Sequence, residues 1–177
     1  MPTRQELIKQ HCSVTGRLAT ICLVAMFLVA ITSPAARAQS SDVVSLKGIS
    51  ALLVEAWDLG DGAKAMGLTK EAIQADVELK LRLAGMRSVT PDEGVKLPGT
   101  PMLYVKVVAS DPALGATVSV QLRQNVLLER NRVLLILVPT WDRTIVVANP
   151  TAQGIRDAIK RSIDEFLNAW LSANPKK

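Results

Sequence analysis

Four aspartates lie close to predicted strand ends, where pairs of carboxylates could act as general acid and general base. They are Asp58, Asp61, Asp111 and Asp142. Catalysis of this kind needs two carboxylates that converge in one cleft. Nothing in the spacing requires that convergence, and aspartates at strand ends commonly form turns. A carboxylate-dependent hydrolase that uses Asp58, Asp61 or Asp142 is therefore an alternative and not the leading hypothesis.

A glycine-rich segment, Asp58–Gly67, joins the first predicted strand to a helix, an arrangement that can hold phosphate. The spacing of its three glycines matches neither the dinucleotide-binding fingerprint nor a P-loop. Asp58 and Asp61 share part of a calcium-loop pattern, but the later ligands and the closing glutamate are missing. We therefore predict a connecting loop with no metal and no cofactor.

The N-terminal region has the features of a secretory signal peptide. A polar start with basic residues is followed by an apolar run, Leu18–Ile31, and by the small-residue pattern A-R-A before Gln39. The apolar run is short for a membrane span. We therefore predict a Sec-type signal peptide at 1–38, a single domain at 39–177 and a periplasmic or secreted location. Contact with the membrane is expected only through the uncleaved precursor.

Cleavage of this leader removes the residues on which much enzyme and metal chemistry depends. Both cysteines and the only histidine lie within it, as Cys12, Cys22 and His11. Residues 39–177 can therefore form no disulfide, no cysteine or histidine metal site and no histidine-dependent catalytic centre. The leader also holds four of the 21 basic and one of the 16 acidic residues, so the mature net charge is +2 and not +5. This small charge gives no support to nucleic-acid binding.

Two amphipathic helices are predicted to position the candidate residues. The more regular one covers Thr151–Asn174, with an apolar stripe on one face and charged residues on the other. The stripe contains Ile155, Ile159, Ile163, Phe166 and Trp170, and it is widened by Leu167 and Leu171. The second helix is predicted to begin after a Thr69 cap and to end at Ala84, before Gly85.

The strands are predicted from apolar runs and from alternation. They cover Leu46–Trp57, Met102–Val108, Thr117–Arg123 and a central strand Val133–Val138, with Ile145–Ala148 after an interruption by PTWDR. Met86–Val89 is either a further strand or part of a connection, and Thr90–Pro101 is predicted as a loop. The predicted class is α+β, a single-layer mixed sheet of four to five strands with two helices on one face, in the order β-α-β-β-β-α. Alternation in the third strand predicts that the other face is partly hydrated.

Two tryptophans follow or end predicted strands next to aspartates, Trp57 with Asp58 and Trp141 with Asp142. Tryptophan is enriched at binding hot spots. Each of the two is therefore either an exposed anchor for a partner or a cap on the end of the core. Together with Asp61, these four residues form the candidate binding set.

Several segments carry a resemblance to known proteins. They are GLTKEAIQADVELKLRLAG (Gly67–Gly85), SVQLRQNVLLER (Ser119–Arg130), the Thr140-Trp141 pair and IRDAIKRSIDEFLNAWLSANP (Ile155–Pro175). In these segments the mature chain resembles a family of uncharacterised exported bacterial α/β proteins. The predicted topology is also similar to that of the N-terminal domain of TolB and of CsgG-like envelope domains. The resemblance implies a place in the cell envelope and no established activity, since a fold does not imply a function.

These features favour a non-catalytic binding or assembly accessory of the cell envelope, whose partner is an envelope protein or a second copy of the chain. The alternatives are a small-molecule binder, the hydrolase described above and a self-assembling oligomer. Exposure of Trp57 or Trp141, or an open edge of the sheet, would support the accessory hypothesis.

Overall fold

The computed structural model describes residues 41–57, 59–109 and 115–175. The predicted signal peptide, Asp58 and the Asp111 turn lie outside the described residues. In chain order the elements are α1 (Ser41–Val44), β1 (Ala51–Ala56), α2 (Asp61–Ala65), α3 (Lys70–Leu83), β2 (Arg87–Val89), α4 (Pro91–Gly94), β3 (Met102–Val108), β4 (Ala116–Leu127), β5 (Leu134–Val147) and α5 (Ala152–Ala173).

The strands form one five-stranded mixed sheet in the order β2-β1-β3-β4-β5. β1 lies parallel to both β2 and β3, whereas β3, β4 and β5 form an antiparallel meander. The parallel pair β1–β2 requires a crossover, and α3 supplies it. The predicted α+β class and mixed sheet are therefore confirmed, with short helices added to the predicted order.

α5 covers one face of the sheet because its apolar residues recur with helical spacing. Its N-cap is Thr151, whose Oγ1 accepts a hydrogen bond from the Gly154 backbone N–H at 3.0 Å. The predicted stripe is buried from Ile155 to Leu167, while Leu171 is exposed near the helix end. Burying a large apolar side chain stabilises the fold by about 1.5–3 kcal/mol before entropy is counted, so this helix is a main contributor to the core.

α3 lies beside α5 on the same face of the sheet. Thr69 Oγ1 caps it by accepting from the Ala72 backbone N–H at 3.2 Å, and Gly85 ends it with a φ of +87°. The buried stripe consists of Ile73, Val77 and Leu81. Both predicted ends of this helix are therefore confirmed.

Two predicted strands differ from the structure. The first strand covers only Ala51–Ala56, because Leu46 lies in a turn where Gly48 adopts a φ of +81°. The run Val133–Val138 was expected at the centre of the sheet, but it belongs to the edge strand β5, which continues through Pro139. A continuous apolar run indicates a strand without indicating its place in the sheet, and proline is tolerated on an edge.

The connection Thr90–Pro101, predicted as a loop, contains the short helix α4. Thr90 Oγ1 caps it by accepting from the Glu93 backbone N–H at 3.4 Å. Gly94 packs against Leu53 of β1 on the sheet face opposite α3 and α5. On this second face, α4 therefore covers the corner of the sheet at β1.

No helix in the described part of the chain is long and apolar enough to cross a membrane.

Candidate ligand-binding surface

The sheet has one face against α3 and α5 and one face that is largely open. In β4, the buried residues Val118, Val120 and Leu122 face the helices. The residues between them are half-buried and face the other way, which is the alternation expected for a strand with one hydrated side. The open face is consequently built from polar side chains on three neighbouring strands.

Register places these polar residues in rows across the strands. Gln121 lies opposite Tyr104 of β3 and opposite Asp142 of β5. In the next row Ser119 lies opposite Lys106 and opposite Thr144, and its Oγ accepts a hydrogen bond from Thr144 Oγ1 at 3.4 Å. The rows are rigid because β3 and β4 form ladder hydrogen bonds with a strand on each side, and β5 forms them with β4.

These rows form the floor of a groove of about 310 Å³, which we call the open-face groove. Its lining consists of Tyr104, Lys106, Val108, Thr117, Ser119, Gln121, Arg123 and Thr144. Its volume is at the lower end of the range of about 300–1,000 Å³ found for small-molecule sites. The lining contains two cations and no carboxylate.

Arg123 is held in a fixed position within this groove. Its guanidinium carbon lies 4.0 Å from the centroid of the Tyr104 ring. Its Nε and Nη2 both donate to Gln121 Oε1, at 3.0 and 2.8 Å. Stacking and two hydrogen bonds fix the plane of the guanidinium, and its remaining N–H groups stay available for an acceptor above the sheet.

Trp57 extends the aromatic surface at the β1 side of the groove. Its ring centroid lies 5.5 Å from that of Tyr104, with the planes tilted by 46°. Half of the Trp57 residue surface is exposed to solvent, whereas Tyr104 is buried. Trp57 and Arg123 therefore share Tyr104 as a neighbour, which gives the surface an exposed indole and a positive charge around one buried ring.

The two cations of the groove lie on one face of the sheet. Elsewhere some cations pair with acids, as Lys80 does with Asp164 and Arg143 with Glu165, whereas others, such as Arg161, form no ion pair among the described residues. Across the described ranges of the chain, neither Lys106 nor Arg123 forms an ion pair. The groove therefore presents two positive charges that pair with no carboxylate of the described residues.

The candidate residues taken from the sequence occupy different places. Trp57 and Asp142 both lie on the open face, the first beside the groove and the second beyond Gln121 on the edge strand. Trp141 is buried and packs edge-on against Phe166 at 5.3 Å, so it caps the core and offers no surface to a partner. Asp61 is exposed in the first turn of α2, after β1.

The structure does not bring the described aspartates together. β3 and β4 separate β1, which precedes Asp61, from β5, which carries Asp142. The residues given structure here also contain no group of three His, Cys, Asp or Glu side chains that could hold a metal ion. The geometry thus gives no support to hydrolysis by a pair of these carboxylates.

Sequence reasoning missed Tyr104, Lys106 and Arg123 as members of one site. The alternation of β3 and β4 places each of them on the outward side, which was a usable signal. The contact between Tyr104 and Arg123 depends on the register Met102 opposite Arg123, which the pattern does not encode.

A second unusual surface lies at the far end of β4 and β5. We call residues 126–136, which form the tip of this hairpin, the distal hairpin. Leu127 lies opposite Leu134, and Ile136 is on the same side, with 48%, 60% and 69% of their surfaces exposed. Among the described residues β5 pairs with no strand except β4, so its other edge has no strand partner, and Ser45 Oγ donates to the Thr140 carbonyl oxygen midway along β5. Such a patch on an open edge marks a surface for association.

We compared the chain with protein-family models, with curated proteins and with solved structures, and none matches it.

Proposed function

We propose that this protein is a non-catalytic binding accessory of the cell envelope, exported by its N-terminal signal peptide. The observation that supports this proposal is the open-face groove, where the exposed Trp57 and the fixed Arg123 both contact the ring of Tyr104. A rigid polar sheet face with an aromatic wall has the composition of a binding surface, since Trp, Tyr and Arg are enriched at hot spots. The proposal agrees with the resemblance to exported envelope proteins and with the lack of Cys and His in residues 39–177.

The binding surface can be tested by photocrosslinking in the native envelope. A photoreactive residue at Ser119, inside the groove, should give a specific adduct, and Trp57→Ala should abolish that adduct. The matched control places the same group at Arg161, which is exposed on α5. Equal adducts from both positions, or an adduct that persists in Trp57→Ala, would contradict the proposal.

Export can be tested separately by mass spectrometry of the protein in the periplasmic fraction. The expected N-terminus is Gln39, following the small-residue pattern of the leader. A chain that retains residues 1–38 in the cytoplasm would contradict an envelope function.

The distal hairpin favours a second candidate function, self-assembly with another copy. β5 is about 46 Å long at ~3.3 Å per residue, and an antiparallel edge-to-edge pair whose two-fold axis passes near Leu135 would bring the two apolar tips together. Leu127, Leu134 and Ile136 would then leave solvent on both copies. Leu137 has a positive φ and Pro139 has no N–H to donate, so these two residues interrupt the outer edge of β5. They divide it into two segments that could pair with another copy.

Light scattering on residues 39–177 tests self-assembly. The expected result is a dimer, with Ile136→Lys shifting it to monomer by placing a charge in the apolar contact. Leu83→Lys serves as the matched control, because Leu83 is equally exposed but lies at the end of α3. A monomeric wild type, or the same effect from both substitutions, would exclude this candidate.

A further inference from the structure

The open-face groove has chemistry that defines a class of ligand. We infer that it binds a soluble ligand carrying a phosphate or carboxylate group, held by Arg123 and Lys106, with an apolar ring against Trp57. This inference rests on the proposed binding function of the same surface, and it identifies the ligand as an anion.

The first argument is the position of the two cations. The Arg123 guanidinium lies over Tyr104 of β3. Lys106 is two residues after Tyr104 on β3, which is about 7 Å at ~3.3 Å per residue. The long lysine side chain can span that distance, so both charges can reach a single anionic group above Gln121 and Ser119. An arginine whose plane is already fixed loses less entropy on binding an oxyanion in bidentate geometry.

The second argument is the electrostatic balance of this face. Glu55, in the row of Tyr104, is engaged by Lys70, whose Nζ lies 2.6 Å from its Oε1. Asp142 is exposed on β5, across from Gln121 and outside the groove lining. The described residues that line the groove include Lys106 and Arg123 and no carboxylate, so an anion replaces solvent beside them without displacing an ion pair of the described residues.

The third argument concerns the non-charged part of the ligand. Trp57 exposes half of its surface next to Tyr104. On the other side of Lys106 the floor contains the hydroxyls of Thr117, Ser119 and Thr144 together with the side chain of Val108. A ligand with an apolar ring and a nearby anionic group matches both surfaces, whereas a neutral apolar ligand leaves the cations unsatisfied.

The test is a calorimetric and NMR titration of residues 39–177 with phenyl phosphate, at constant ionic strength. We expect binding with amide shifts at Lys106, Ser119 and Arg123, weaker binding of inorganic phosphate, and no binding of phenol. Arg123→Gln and Lys106→Gln should each weaken binding about tenfold, because each removes a charge-assisted contact. Arg161→Gln makes the same chemical change on the outer surface of α5 and should leave the affinity unchanged.

Asp142→Asn adds a change of opposite sign, since removal of a nearby negative charge should strengthen binding about twofold.

Affinity that is equal in wild type, Arg123→Gln and Lys106→Gln would overturn the inference. Failure of both phenyl phosphate and benzoate to bind would also overturn it, while a Trp57-dependent crosslink from Ser119 would leave the binding function standing. Arg123-dependent binding to phosphatidylglycerol vesicles, without binding of phenyl phosphate, would assign the surface to a lipid headgroup and overturn the soluble-ligand inference.

Discussion

At the scale of single residues, the two tryptophans next to aspartates have opposite roles. Trp141 is buried in edge-on contact with Phe166, whereas Trp57 is half exposed beside Tyr104. Both follow the same local pattern of an apolar run and then an aspartate. The two differ in the face of the sheet on which they lie: Trp141 is opposite the buried Leu122 on the helix side, whereas Trp57 lies beside Tyr104 on the open face.

This contrast gives a prediction about stability. Trp141→Ala should lower the free energy of unfolding by about 3–5 kcal/mol, because it empties a buried aromatic site. Trp57→Ala should cost about 1 kcal/mol or less, since half of the side chain is already in water. Urea denaturation of residues 39–177 measures both values, and similar losses for the two variants would contradict the assignment.

Ser162 is a polar residue placed in the core. It lies on α5 with no exposed surface, and its hydroxyl has no hydrogen-bond partner among the described residues. An unsatisfied buried hydroxyl costs free energy, and alanine has the higher helix propensity. Ser162→Ala should therefore raise the free energy of unfolding by about 0.5–2 kcal/mol.

The control for this prediction is Ser172→Ala, on the same helix but exposed, which should change stability by less than about 0.5 kcal/mol. If Ser162→Ala instead destabilises the protein by more than that, the hydroxyl makes a hydrogen bond and the assignment is wrong.

At the scale of elements, the end of α5 holds the segment that precedes β1. Asn174 Oδ1 accepts from the Gly48 backbone N–H at 2.7 Å, and its Nδ2 donates to the Leu46 carbonyl oxygen at 3.0 Å. Trp170 Nε1 donates to the Ile49 carbonyl oxygen at 2.7 Å. These contacts keep Leu46 fully buried although it lies outside any strand.

Removal of the Asn174 side chain should therefore loosen this segment. Asn174→Ala should cost about 1–3 kcal/mol, because it leaves the Gly48 N–H without a partner and removes one of the two hydrogen bonds to the Leu46 carbonyl oxygen, and it should speed amide exchange at Gly48. Asn168→Ala, exposed on the same helix, is the matched control and should do neither. Unchanged exchange at Gly48 in Asn174→Ala would show that the turn holds itself.

At the scale of the whole molecule, protection against unfolding should vary along the sheet. β3 lies between β1 and β4 and carries the buried residues Leu103, Val105 and Val107. The distal hairpin has exposed apolar side chains, and among the described residues its two strand segments pair with each other and not with β3. Because local opening is easiest where few apolar contacts are lost, its amides should exchange much faster than those of β3.

Hydrogen exchange of residues 39–177 at low concentration measures this difference. If the distal hairpin is protected as strongly as β3 and its protection falls on dilution, the hairpin is covered by a second copy. If its protection is equally strong at every concentration, the explanation from exposed apolar contacts fails.

Much of the fold follows from local pattern. Thr69 and Gly85 set the ends of α3, and strict alternation set β3 at Met102–Val108. These features depend on neighbours within a few residues, so the sequence contains the information directly.

The sequence alone therefore determined the α+β class, both long helices and the outward polar side of β4. It also determined that residues 39–177 contain no cysteine and no histidine. The tertiary structure decided that the apolar strand β5 lies at an edge, that Trp141 is core, and that Arg123 stacks on Tyr104. The physical reason is range: caps and alternation act within one element, whereas strand order and register depend on contacts between residues far apart in the chain.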